Sequence, residues 1–173
     1  ECKIRGVSYK IIADVQSSQI LREITAPEIN QDVVKLEKAP KIAVYSPKSK
    51  LPWDDAVTLA LTYAEIPYDI VYDQEVLNGS LPLYDWLHLH HEDFTGQYGK
   101  FYSAYKNSEW YRNQKKEFEK SANTMGFQKV SKAKLEVVLK IREFTAGGGF
   151  LFAMCSATDT YDIALAAKDI DLS

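Results

Sequence analysis

From about residue 41 onward, short apolar runs alternate with segments whose apolar positions recur at helical spacing. Ile42-Ala43-Val44-Tyr45 is a four-residue apolar run ended by Ser46-Pro47-Lys48, the pattern of a buried strand running into a loop. Pro52 then leads into Trp53 to Ala64, where Val57, Ala60, Leu61 and Ala64 share one helical face. Asp54 and Asp55 in the first turn suit the helix dipole, and Pro67 ends the helix. Tyr68-Asp69-Ile70-Val71-Tyr72 is the next strand. Strand, helix and strand in about thirty residues make the βαβ unit of a parallel sheet.

A third strand is predicted over Tyr84 to Leu89, after the turn-rich Asn78-Gly79-Ser80-Leu81-Pro82. A fourth is predicted over Phe150 to Met154, introduced by Gly147-Gly148-Gly149. Before those glycines, Ser131 reads as the cap of a helix carrying Leu135, Val138, Leu139 and Arg142 along one flank. Thr158 to Ala167 reads as the helix after the fourth strand. Near the start, Val7 to Ile12 alternates like a strand, and Gln19 to Ile24 is short helix. Residues 94–126 break the rhythm with Phe94, Tyr98, Phe101, Tyr102, Tyr105, Trp110, Tyr111 and Phe118 among polar residues. An αβ crossover does not need that length, so this stretch is read as a helical, aromatic-rich insertion over one end of the sheet. Residues 1–173 are expected to form a single α/β domain. The sheet of four or five strands, and the stop soon after the last helix, read as a fragment of a longer chain.

Composition narrows the function classes. At 46% hydrophobic and 26% charged, the chain is globular rather than disordered. A net charge of −3 supplies no field for nucleic acid. Lys115, Lys116 and Lys120 alternate with Glu117 and Glu119, which marks a solvated helix face. No apolar run approaches the roughly 20 residues that span a bilayer, so no transmembrane segment is expected. Two cysteines, Cys2 and Cys155, make no disulfide framework, although one bridge between them is open. No signal peptide is visible, and since the chain opens at Glu1 rather than Met, two readings stay open: an export signal already removed, or one lying outside this sequence.

Two clusters carry candidate chemistry. In Phe150 to Asp159 a strong strand runs into Cys155, followed by the small residues Ser156 and Ala157 and a helix. This is the layout of a nucleophile elbow, a sharp strand-to-helix turn that needs small neighbours. A thiol at a helix N-terminus is favoured as thiolate by the dipole; the competing reading is a small buried hydrophobe. The second cluster is Leu87-His88-Leu89-His90-His91-Glu92-Asp93-Phe94, which holds all three histidines of the chain. In a strand His88 and His90 share a face, and the run ends where ligands of open α/β sheets gather, beyond the strand carboxyl ends. Three roles compete: a base toward Cys155, ligands for a zinc-like metal, or a hydrogen-bond knot closing a strand. Gly147 to Gly149 precede a strand, whereas phosphate loops follow one. The aromatic stripe of residues 98–111 is read as packing rather than a sugar or partner platform.

With these residues in view, the chain resembles the class I glutamine amidotransferase-like superfamily. More narrowly, KIAVYSPKSKLPWDDAVTLALTYAEIPYD, LPLYDWLHLHHEDFTGQYGKFY and AGGGFLFAMCSATDTYDIALAA resemble an exported bacterial family often labelled asparagine synthetase B. The resemblance implies a flavodoxin-like, mostly parallel sheet. It implies amide hydrolysis or transfer with Cys155 as nucleophile, His90 or His91 as base or orienter, and the Ser156 backbone N–H as oxyanion donor. A small-molecule amide substrate and no cofactor follow, as does a periplasmic or envelope-associated location. A non-catalytic binding domain within a larger protein assembly is the alternative. The superfamily's elbow is Gly-x-Cys-x-Gly; here Ala153-Met154-Cys155-Ser156-Ala157 keeps the Cys and replaces both glycines. No His follows Cys155, so the partner lies elsewhere, is substituted by His90 or His91, or is lost with the activity.

Overall fold

The computed structural model describes residues 4, 6–26, 38–47, 56–96 and 99–170. Residues up to 39 and residues from 40 onward form separate compact units. In the first, α1 spans Asp14–Ile24. The alternating stretch Val7 to Ile12, expected as a strand, is not one: its residues have no strand partner among the described residues and are all exposed. Alternation makes a strand only where a neighbour takes up the backbone hydrogen bonds.

In the second unit four strands form one parallel sheet: β1 (Ile42–Tyr45), β2 (Tyr68–Val71), β3 (Trp86–Leu89) and β4 (Phe150–Ala153), in the order β2-β1-β3-β4. Register aligns Val44 with Ile70 and with His88, and Leu89 with Ala153. The helices are α2 (Ala56–Tyr63), α3 (Asp73–Leu77), α4 (Gly99–Tyr105), α5 (Glu109–Thr124), α6 (Val130–Ala146) and α7 (Ser156–Ala166). This is a flavodoxin-like α/β arrangement, with the order reversing between β1 and β3. Residues 53–55 of the expected first helix lie outside the described residues.

Continuous apolar strands are what burial on both faces demands, and β1 is buried at all four positions. Ala43, Tyr45, Val71, Leu87 and Leu89 pack on one face against Val76 of α3, Val137, Val138, Ile141 and Phe144 of α6, and Ala157 and Ala164 of α7. Each fully buried Val or Ile there contributes about 1.5–3 kcal/mol relative to exposure.

α6 differs in detail from the sequence reading. Its N-cap is Lys129, in extended backbone at φ −129°, which leaves Ser131 inside the first turn. The buried stripe is Ala133, Lys134, Val137, Val138, Ile141 and Phe144, whereas Leu135 and Leu139 are half-buried and Arg142 is exposed. The helix therefore faces the sheet with a stripe that includes a lysine.

The insertion between β3 and α6 is helical and aromatic. Tyr111 is buried, and Trp110 packs edge-on against it at 5.8 Å. Lys115 and Glu119 pair across one exposed turn at 3.6 Å, as expected of a solvated face.

Candidate active site

β4 ends at Ala153, and two residues later the chain turns sharply into α7. The turn is made by Cys155, with φ 50° and ψ −136°. Among the described residues only Glu65 shares a positive φ without being glycine. Such backbone costs a residue with a Cβ about 1–3 kcal/mol and persists only where its surroundings impose it. They do so here. The Met154 N–H donates to the Leu89 carbonyl at 3.1 Å, holding the chain to β3 up to the turn. Immediately beyond it, Ala157 is fully buried in the core. Cys155 is a free thiol and exposed; the position of Cys2 lies outside the described residues. Among those residues the Ser156 N–H, next to the thiol, donates to no acceptor.

The first turn of α7 is bound to the end of β3 by three hydrogen bonds. The Ala157 N–H donates to the His90 carbonyl at 3.2 Å, and the Ser156 hydroxyl donates to the His91 carbonyl at 3.0 Å. The Thr160 hydroxyl donates to the Glu92 carbonyl at 2.8 Å. Beyond these, Thr95 donates its N–H to the Asp93 carboxylate at 2.9 Å, closing a local turn. Phe94 is fully buried, 5.3 Å from the Tyr45 ring and 6.0 Å from the Tyr161 ring of α7. Gly96 sits at φ +65°, where a Cβ would lie 2.8 Å from the Ser131 nitrogen. The loop 90–96 is thus held against β1, α6 and α7 at successive positions.

The three histidines follow one another from the core to the rim, with the His88 and His90 rings stacked 6.3 Å apart on the face they were expected to share. His88 is fully buried within the sheet, its ring stacked 5.6 Å from Phe152. His90 is half-buried and His91 exposed, with ring centroids 3.4 Å apart, at the edge where Cys155 emerges. Among the described residues no three His, Cys, Asp or Glu side chains are placed to hold a metal ion. A cavity of about 570 Å³ lies at the opposite edge, lined by Tyr84, Asp85 and the Gly147–Gly149 run that precede β3 and β4. Ligands in open α/β sheets bind at the carboxyl edge, which is where Cys155 lies.

The chain matches no protein-family model, no curated protein and no solved structure.

Sequence reasoning missed a second polar group at the same edge. The Lys134 ammonium pairs with the Asp73 carboxylate at 2.9 Å, both almost fully buried. It also donates to the Tyr45 hydroxyl at 2.9 Å and to the Tyr72 hydroxyl at 3.1 Å, and lies 4.4 Å from the Tyr72 ring centroid. Tyr45 in turn donates to Asp73. Burial, followed by the Asp73 carboxylate, pushes the Tyr45 phenol well above its ordinary range; burial and then Glu92 do the same to Tyr72. A signal did exist: Lys134 stands at i−3 and i−4 to Val137 and Val138 on the apolar stripe. A polar residue at such a position needs a buried partner.

Proposed function

We propose that this domain is glutamine amidotransferase-like and carries out Cys-dependent hydrolysis or transfer of a small-molecule amide. The observation behind the proposal is the left-handed backbone of Cys155, which holds an exposed thiol at the start of a helix on the carboxyl edge of the sheet. In this reading His90 or His91 takes the thiol proton and the sulfur attacks the amide carbon. The Ser156 N–H stabilises the negative oxygen that forms. The C–N bond then breaks, and the imidazolium returns its proton to the departing amine. Water resolves the thioester in hydrolysis, and a second amine resolves it in transfer. The proposal extends to a periplasmic or envelope-associated location, which cell fractionation tests.

A second reading, a non-catalytic binding domain on the same fold, draws on Ala153 and Ala157. These occupy the positions that are glycine in the resembling elbows, and Ala157 is fully buried. One experiment separates the two. The protein is incubated with glutamine and with asparagine, ammonia release is followed, and Cys155→Ala serves as the control. Release that depends on Cys155 supports the enzyme. No release, together with iodoacetamide labelling that is slow and flat between pH 6 and 8, supports the binding domain.

A further inference from the structure

We infer that Lys134 is a positioning residue for the loop 90–96, and through it for His90 and His91. The inference rests on the proposed role of those histidines at the Cys155 edge.

α6 holds the loop at two points one helical turn apart. At the first, the Ser131 backbone lies against Gly96 so closely that a Cβ would meet its nitrogen at 2.8 Å. At the second, Lys134 reaches the Tyr45 hydroxyl at 2.9 Å, and the Tyr45 ring lies 5.3 Å from Phe94. Phe94 follows His91 by three residues and is fully buried. It also lies 6.0 Å from the ring of Tyr161, on the helix that Cys155 begins.

The lysine is poorly explained as a source of stability. A buried ion pair roughly repays its own desolvation, and an apolar pair of similar volume often serves the fold as well. Satisfied buried polar groups instead hold one geometry, because any displacement leaves a charge or a hydroxyl unpaired. Lys134 has that character. Its ammonium meets Asp73, Tyr45 and Tyr72, and lies 5.7 Å from the Phe118 ring of the aromatic insertion. Four elements, β1, α3, α5 and α6, are thereby set relative to one another beneath the loop. Since Lys134 touches no reacting atom in the proposed chemistry, its effect runs through Tyr45 and Phe94.

The test uses NMR of the imidazole protons of His90 and His91, a readout that exists whether or not Cys155 is a nucleophile. The variant is Lys134→Met with Asp73→Asn, which removes both charges and leaves neither buried alone. In the folded double variant the chemical shifts of both imidazoles should move. Iodoacetamide labelling of Cys155 should change roughly two- to thirty-fold, the span of couplings of this kind. Phe144→Leu, at the far end of α6, should lower the melting temperature and leave the histidine signals in place. If the double variant does not fold, Tyr45→Phe removes only the hydroxyl link and should move the signals in the same direction by less. Parent-like histidine signals in either folded variant overturn the inference. Should the parent show no Cys155-dependent turnover, the proposed function fails while the histidine signals still decide the role of Lys134.

Discussion

The Thr160 hydroxyl lies 2.8 Å from the Glu92 carbonyl oxygen and 2.8 Å from the Ser156 carbonyl oxygen, so one side chain on α7 secures the end of β3. Thr160→Val keeps the shape and removes the single hydroxyl proton that the two carbonyls share. It should cost about 1 kcal/mol, the usual net value of such a hydrogen bond. Urea unfolding measures this, with an unchanged slope showing that the fold is intact. Ser156→Ala breaks the more exposed bond to His91 and should cost less.

The left-handed backbone at Cys155 makes a different kind of prediction. Glycine relieves the strain of the turn but adds entropy to the unfolded chain. Cys155→Gly should therefore be at least as stable as the parent, by up to about 1 kcal/mol. Cys155→Val puts a β-branched side chain into the same turn and should lose about 2 kcal/mol. Equal midpoints for the two variants would show that the turn is not strained.

Gly96 and Gly126 both have positive φ, +65° and +89°, but they differ in their surroundings. Above Gly126 the space is open, whereas above Gly96 stands the backbone of Val130 and Ser131. Gly126→Ala should cost about 1 kcal/mol from backbone conformation alone. Gly96→Ala should cost about 3 kcal/mol, because the first turn of α6 must also move. Thermal melts of the pair check the difference.

Removing Lys134 alone strands Asp73 without its cation. Lys134→Met should cost about 3–5 kcal/mol, and adding Asp73→Asn should restore most of it. The coupling is read from a double-mutant cycle in urea.

Burial raises the Tyr45 phenol in the folded protein. Above the ordinary ionisation near pH 10 the unfolded chain releases a proton that the folded protein keeps, so stability falls as pH rises. It is fully present below pH 10 and declines by about 1.4 kcal/mol per pH unit for this one group until the folded phenol ionises. Tyr45→Phe should be less stable at pH 7, because Asp73 and Lys134 each lose a partner, and should decline less steeply between pH 10 and 11. Urea midpoints across that range decide it.

Much of this architecture follows from local pattern. Apolar runs of four to five residues and one clear βαβ unit imply a parallel sheet, because parallel strands need a crossover between them. Phe150 to Ala157 predicts a strand running through a sharp turn into a helix, because a strong apolar run is followed by small residues that such a turn can accommodate. Where local pattern stood without a partner it misled: Val7 to Ile12 alternates but pairs with no strand among the described residues. Ser131 carries a capping side chain, yet the extended residue at the helix start is Lys129.

The site depends on contacts that local pattern does not contain. Lys134 and Tyr45 are 89 residues apart, and their bond exists because the N-terminal part of α6 lies at the carboxyl ends of β1 and β2. His88 and His90 have the same residue type and the same strand parity, but one lies inside the sheet beside Phe152 and the other at its rim. That difference comes from where β3 stops relative to its neighbours, with Leu89 in register with the last residue of β4. Periodicity and turn chemistry act over a few residues and are written in the order of the chain. Burial, ion pairing and the anchoring of the loop 90–96 arise only when distant segments meet, because desolvation depends on everything that surrounds a group rather than on its neighbours in sequence.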